Sequence, residues 1–309
     1  MDTIKVYNLH QPTFLNPVSI FDLQNQTRFL NEEKALRHYN KKVRLLTKFL
    51  DQINTNKKYH ILLGGKILKK LQHNKDVCKT LKRLTKKEVI TPLSETTHRS
   101  ISHLFSKEEF KTQLKEHQNL CKKVFGKKPK TYVDTTKSFN KETSTTLKQL
   151  NFTFVISNNI ATEGKIFGIN AYKLNNNIIN IKQNTPIKPQ KPLKEFTKNH
   201  VAQLNTQKTI LNQMQEKALE ELKAFETYVK QGKKDEILNI WQALTCYHVF
   251  QTMCNNTNNT HHEHPHNNAY EVHMSVMNIL NGLAQILNNT EGQPLKRPKV
   301  YNSPSALLS

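Results

Sequence analysis

The sequence predicts an α/β protein: a mainly parallel sheet, open or closed into a barrel, followed by a helical region. Three observations predict it. Over residues 1–190, apolar runs of strand length alternate with longer stretches of helical periodicity, the pattern of βαβ units. A segment with three prolines, "NTPIKPQKPLK" (184–194), then breaks the alternation. Beyond it only helical periodicity remains.

The elements follow in order. "IKVYNLH" (4–10) reads as a strand. "NEEKALRHYNKKVRLLTKFLDQI" is helical, with Ala35, Leu36, Val43, Leu46 and Phe49 at near-helical spacing. "YHILLGG" (59–65) is a buried strand closed by two glycines, and "EVITPLSE" (88–95) is another strand. "SKEEFKTQLKEHQNLCKKVFG" opens on Ser106 with Glu109 three residues later, a capping-box pattern, and stops at Gly126. "KTYVDT" (130–135), a helix over 140–150, "FTFVIS" (152–157), "KIFGINAY" and "NNIINIKQ" complete the series. About seven strands result, few for a complete eight-fold barrel.

After the prolines, helices are expected at roughly 195–231, 234–254 and 267–289. Leu211, Met214, Ala218, Leu219, Leu222, Phe225 and Val229 form one apolar stripe. Trp241, Tyr247 and Phe250 are spaced on one helix as core residues that would pack against the sheet domain. The expected organisation is a β/α domain over 1–190, a helical domain over 191–289, and a disordered tail over 290–309.

The chain of 309 residues carries 47 Lys and Arg against 24 Asp and Glu, a formal net charge of +23. Such an excess suits an anionic partner such as nucleic acid, or reflects a composition rich in Lys and Asn throughout. The lysines are scattered along helices with few aromatics between them, and no zinc-finger or aromatic RNA-binding signature appears. Nucleic acid is therefore not the favoured partner. Cys78, Cys121, Cys246 and Cys254 form no Cys-x-x-Cys pair, which fits a reduced cytoplasmic protein. The opening "MDTIKVYNLHQP" has no signal-peptide pattern, and no apolar window is long enough to span a membrane. "LLGGK" (62–66) lacks the spacing of a P-loop, and no cofactor is expected. His261, His262, His264 and His266 crowd into "HHEHPH", which could chelate a metal but reads better as a solvated loop.

Where an α/β protein usually keeps its chemistry, at the end of "KPKTYVDTTKSFN", stand Asp134, Thr135 and Thr136, with no strong acid–base pair. Four blocks place this stretch in context. "NLHQPTFLNPVSIFDL" carries His-Gln-Pro just after the first strand. "VITPLSETTHRSISHLFSKEEFKTQLKEHQNLCKKVFGKKPKTYVDTTKSF", "MQEKALEELKAFETYVKQGKKDEILNIWQALTCYHVFQTM" and "NNAYEVHMSVMNIL" follow in order. Together they resemble glycoside hydrolase family 57, in particular its α-amylase-like branch, over most of residues 4–289.

The resemblance implies an incomplete seven-stranded (β/α) barrel of glycoside hydrolase/deacetylase type, followed by a C-terminal helical bundle. It also implies retaining hydrolysis of α-glucans, with a Glu nucleophile and an Asp general acid/base about 5–5.5 Å apart. The nucleophile position aligns with Thr136 and the acid/base position with Asn184. Neither a lone threonine hydroxyl nor an asparagine replaces a carboxylate. Asp134, the one nearby candidate for rescue, lies about 6–7 Å further back along the strand. The resemblance makes His10 a sugar-subsite residue, with Gln11, Glu95, His98 and Asp134 the other ligand-binding candidates. Arg99 stands where the family has a histidine, which implies a changed pocket.

The expected function is a catalytically silent relative that binds an oligosaccharide or supports an active paralogue as a protein partner. One rival is an active hydrolase using Asp134 with Glu95 or Glu163. The other is a basic protein that binds nucleic acid or another anion.

Overall fold

The computed structural model describes residues 5–19, 29–136, 139–174, 178–182, 193–195, 197, 201–204, 211–232, 234–254, 266 and 268–291. Their elements run in the order β1 (Val6–Leu9), α1 (Glu32–Asp51), β2 (Tyr59–Leu63), α2 (Gly65–Leu71), α3 (Lys75–Lys86), β3 (Ile90–Pro92) and a 3-10 turn (Ser102–Leu104). Next come α4 (Lys107–Phe125), β4 (Thr131–Asp134), α5 (Lys141–Gln149), β5 (Phe154–Ser157), β6 (Ile160–Thr162), β7 (Gly164–Ile166), β8 (Ile169–Lys173), β9 (Ile178–Asn180) and β10 (Gln203–Leu204). Last are α6 (Gln213–Gln231), α7 (Asp235–Leu244), α8 (Tyr247–Thr252) and α9 (Ala269–Glu291).

These residues sort into two compact units that interleave along the chain. The first takes the described residues of 1–14, 31–211 and 245–251; the second takes those of 15–30, 212–244 and 252–309.

In the first unit, β3-β2-β1-β9 form one four-stranded sheet and β4-β5-β8-β7 another. A parallel bridge between Ser94 and Tyr132 joins them edge to edge. There Ser94 N–H donates to Thr131 O (2.9 Å) and Val133 N–H donates to Ser94 O (2.7 Å). Every strand pair along this path is parallel except β7–β8, a hairpin. The hairpin turns through Phe167 (φ 50°) and Gly168 (φ 79°), the two left-handed residues that a tight twisted turn requires. A short antiparallel pair, β6–β10, adjoins β7, where Lys165 forms a parallel bridge with Val201.

Period-two alternation gives the sheet two apolar faces. Tyr7, Leu9, Ile61, Leu63 and Ile90 pack with Leu46, Phe49, Leu68, Leu81 and Val124 of the helices in one cluster. Tyr132, Val155 and Ala171 pack with Phe110, Leu114 and Leu147 in a second. The intervening residues meet in a third: Val6, Leu62, Leu93, Val133, Ile156, Tyr172 and Leu174, with Ile178 packed against them. Each of the seven parallel strands thus contributes at or next to its end. No ladder joins β8 to β9 among the described residues.

The helices start and stop where local chemistry directs. Asn31 accepts from Lys34 N–H at the head of α1, and Glu32 and Glu33 occupy its first turn, where the helix dipole favours anions. Ser106 accepts from Glu109 N–H as expected, and Gly126 (φ 79°) ends α4. The Glu109 carboxylate accepts from Gln113 Nε2 (2.9 Å). Helices α2 and α3 were not foreseen; the glycines before them read as a strand stop.

Two helix expectations are corrected. The helix expected over 195–231 begins only at Gln213, where Asn212 and Gln215 form a capping box, and residues 203–204 pair with β6 instead. The helix expected over 234–254 breaks after Leu244, so α7 and α8 are separate. Trp241 accordingly packs within the second unit, its indole N–H donating to Leu222 O of α6 at 3.0 Å. Tyr247 and Phe250 belong to the first unit. The tail beyond Glu291 and most of the proline segment lie outside the described residues.

Candidate functional site

The inner apolar layer predicts what stands above it. Two residues further along each strand, the side chain returns to the same face. These positions are Asn8 after Val6, Gly64 after Leu62, Glu95 after Leu93, Thr135 after Val133, Asn158 after Ile156 and Asn180 after Ile178. One step beyond Asn8 is His10. The C-terminal strand ends therefore carry a polar layer with Glu95 in it.

Glu95 is 1% exposed, and Arg99 grips it with two hydrogen bonds, Nε to Oε2 at 2.8 Å and an NH2 to Oε1 at 3.3 Å. The same guanidinium donates to Asn8 Oδ1 (3.1 Å), and Asn8 Nδ2 donates to Asn180 Oδ1 (2.7 Å). Thr135 Oγ1 reaches Glu95 Oε2 at 3.5 Å. His10 Nδ1 stands 3.8 Å from Glu95 Oε1, too far for a hydrogen bond. Gly64 makes this crowding feasible: a Cβ there would lie 2.8 Å from His10 Nδ1 and 3.4 Å from Glu95 Oε1.

Burial alone would raise the Glu95 carboxyl, but the Arg99 charge and its bonds outweigh it and hold Glu95 down to about 2. Burial, helped by the Arg99 charge, pushes His10 down to about 3. At neutral pH His10 is therefore uncharged, and the counter-charge to Glu95 is Arg99. Arg99 itself has a left-handed backbone (φ 51°), held by Tyr247 N–H donating to its carbonyl (2.9 Å) and Ile101 N–H donating to Thr245 O (2.9 Å).

Among the described residues neither ring nitrogen of the buried His98 has a hydrogen-bond partner, and the same is true of His10. Burial, then the charge of Lys66, keeps His98 neutral. Lys66, at the start of α2, donates to Thr13 Oγ1 at 2.6 Å. Burial lowers its amine to about 8, and Lys69 and Lys70 push the same way.

Asp134 faces a different direction. Its Oδ1 accepts from Thr136 N–H (3.0 Å) and Thr136 Oγ1 (2.8 Å), and its Oδ2 accepts from Phe139 N–H (2.9 Å) and Ser157 Oγ (2.7 Å). This carboxylate ties the β4 end to α5 and β5. Thr136 turns back onto Asp134, and it is Thr135 that faces Glu95. Gln11 points its amide at α1, donating to Ala35 O (3.1 Å). Glu163 accepts from Lys173 N–H of β8 (3.4 Å).

The structure thus brings His10, Glu95 and Arg99 together. It sets Gln11, Asp134 and Thr136 in bonds of their own. Asn184, His261, His262 and His264 lie outside the described residues; His266 Nε2 lies 2.9 Å from Ser275 Oγ on α9. Among the described residues no group of three His, Cys, Asp or Glu is placed to hold a metal ion.

Residue-type reasoning overlooked Asn8, Lys66 and Asn180, and Thr135 stood in it only as a neighbour of Thr136, the position aligned with the family's nucleophile. Alternation with Val6 and Val133 was the available signal for Asn8 and Thr135. Lys66 had none, since it follows a glycine pair in a segment not read as helical.

No curated protein matches the chain. Among solved structures, it is similar to the 4-alpha-glucanotransferase of Thermococcus litoralis, at 18% identity over 50% of this chain and 22% of that one, with a TM-score of 0.38. It is also similar to a Mycobacterium smegmatis protein assigned as a polysaccharide deacetylase, at 14% identity over 46% of this chain and 48% of that one, with a TM-score of 0.33. The match therefore spans about a fifth of the first relative's length and about half of the second's. The model of glycosyl hydrolase family 57 matches residues 5–202, well over half of the sequence, and the chain belongs to that family.

Proposed function

We propose that this chain is a catalytically silent member of the family that binds an α-glucan oligosaccharide at the C-terminal ends of its strands. The observation that carries the proposal is Glu95, the acidic side chain of the inner polar layer, neutralised by Arg99 and faced by Thr135 and Asn8. A retaining mechanism needs one carboxylate free to attack and a second to shuttle a proton. Asp134 is spoken for by four donors, which disfavours its recruitment. Thr136 at the position aligned with the nucleophile, and Asn184 at that of the acid/base, support the same reading.

The strand path supports an incomplete barrel as the frame of this site. Seven parallel strands share one inner apolar cluster, as the interior of a barrel would. The α-glucan ligand is suggested by the family and by the name of the Thermococcus litoralis enzyme. Among the described residues no helix is long and apolar enough to cross a membrane.

The test pairs an activity assay with calorimetric titration. The purified protein is expected to release no reducing sugar from starch, glycogen or maltodextrins, while maltooligosaccharides give binding heat. Release that disappears in Glu95→Gln or Asp134→Asn would establish an active enzyme instead.

A further inference from the structure

The opposite ends of the strands carry a second surface, within the first unit. Two adjoining depressions lie there. One, of about 220 Å³, opens at the N-terminal ends of β2, β4 and β5 and along β3. Lys58, Lys127, Lys128 and Lys130 line it. Its apolar wall includes Pro92, Phe154 and Leu193, the last two packed against the inner apolar cluster. The other, of about 310 Å³, is lined by Lys115 and by the amides of Asn119, Gln149 and Asn151. Lys128, Pro129 and Lys130 belong to both, so the two form one groove.

The backbone under the shared lysines is pinned on both sides. Gln118 Nε2 donates to Pro129 O (3.2 Å) and to Leu150 O (3.3 Å). The N–H groups of Thr153 and Phe154 both donate to Lys130 O (2.9 and 3.2 Å). Glu88, 3.6 Å from Lys58 Nζ, is the only carboxylate among the described residues that line the groove, against five lysines. The whole chain has 47 basic residues to 24 acidic ones, so the groove is well above that ratio. Lys58, Lys115 and the run 127–130 are far apart in sequence, and the fold gathers them into one concave surface. Such a surface concentrates anions.

A compact anion would occupy one depression. A chain with repeated negative charge uses both. The half-buried Phe154 offers a ring for stacking, and the three amides offer donors and acceptors for base edges. A run of acidic side chains would bring carboxylates alone and leave the ring unused. We infer that this groove binds single-stranded nucleic acid, with Lys115, Lys127, Lys128 and Lys130 along the phosphates and a base against Phe154. The inference is independent of the glucan reading, whose residues stand at the other ends of the strands.

Fluorescence anisotropy of the full chain with a labelled oligothymidylate of about twelve residues, within the usual range of single-strand sites, tests it. The four lysines not bridged to Glu88 predict a log–log salt slope of about −3, at roughly 0.7 per phosphate neutralised. Lys128→Glu with Lys130→Glu should weaken binding at least about tenfold, while Lys41→Glu with Lys48→Glu, the same charge change at exposed positions of α1, should cost no more than about threefold. Phe154→Leu keeps an apolar side chain and should weaken binding about fivefold without changing the slope. Thermal melts of each variant separate lost binding from lost folding. Equal losses in the two double variants would reduce the effect to net charge and overturn the inference. Oligoglutamate of equal charge binding as tightly, or unchanged affinity in a folded Phe154→Leu, would overturn it in favour of a bare polyanion. Absence of binding at low salt would overturn it outright.

Discussion

Two buried carboxylates stand near neighbouring strand ends and live in opposite surroundings. Asp134 accepts from two backbone N–H groups and a hydroxyl of the turn after β4, and from the Ser157 hydroxyl at the end of β5. Glu95 faces a guanidinium, a threonine hydroxyl and the His10 imidazole, whose Nδ1 stands 3.8 Å away. The first carboxylate is met by backbone and hydroxyl donors, the second by a guanidinium. Burial alone does not mark a site. What separates the two is the kind of group that satisfies them.

The contrast can be broken by mutation. Asp134→Ala should have the largest effect, because it strands several buried donors at once. A loss of about 3–5 kcal/mol in denaturant stability is expected, with the folded protein hard to recover. An unchanged denaturation midpoint would mean that the turn holds without its carboxylate.

Glu95→Gln should come next. It leaves the Arg99 guanidinium without a counter-charge, and since Arg99 is partly exposed about 2–4 kcal/mol is a reasonable scale. Adding Arg99→Met to Glu95→Gln should restore most of that loss, because the pair is then removed together. If the double variant is as unstable as the sum of the single ones, the pair is not the unit described here.

The smallest effect is expected from His98→Leu, which removes unpartnered nitrogens. Stability at pH 7 should change by no more than about 1 kcal/mol, in either direction. Its signature lies in the pH profile. His10 has a folded pKa of about 3, and His98 is also lowered, both below the unfolded 6.5. The unfolded chain thus binds more protons than the folded one between those limits, so stability is full above about pH 6.5 and falls as pH drops toward 3. Glu95, lowered from 4.5 to about 2, adds a second loss that begins below its unfolded value. His98→Leu should flatten the first decline and leave the second. A profile identical to that of the unmodified chain would show that His98 titrates alike in the folded and unfolded chains.

Much of the sheet was legible because strands write themselves as apolar runs. The stretches around Val6–Leu9, Tyr59–Leu63, Thr131–Asp134 and Phe154–Ser157 appear in the structure close to where the sequence puts them. The start of α6 was misread because the apolar stripe continues upstream to Leu211, while the capping box that starts the helix is formed by Asn212 and Gln215. His10, Glu95 and His98 entered as candidates through the family resemblance, which sets them after the first and third strands. Asn8, Asn180 and Lys66 were not legible, because hydrogen bonds such as that from Asn8 to Asn180 span 172 positions and leave no local pattern. Asp134 was the nearby candidate for rescue, set back along its strand; the four donors that meet it come from Thr136, Phe139 and Ser157 and leave no mark in the sequence.

The return of residues 245–251 to the first unit has a consequence for synthesis. The loop that carries Arg99 is fastened by Thr245 and Tyr247, which are made 146 and 148 residues after Arg99. At 5–20 residues per second, roughly 7–30 s pass on the ribosome before that fastening can form. For that interval Glu95 and Arg99 lack the anchor that fixes their loop, although their strands have already emerged. A ribosome stalled before codon 245 should therefore display a nascent chain whose sheet can pair but whose ligand site is still open, a natural place for a chaperone to act.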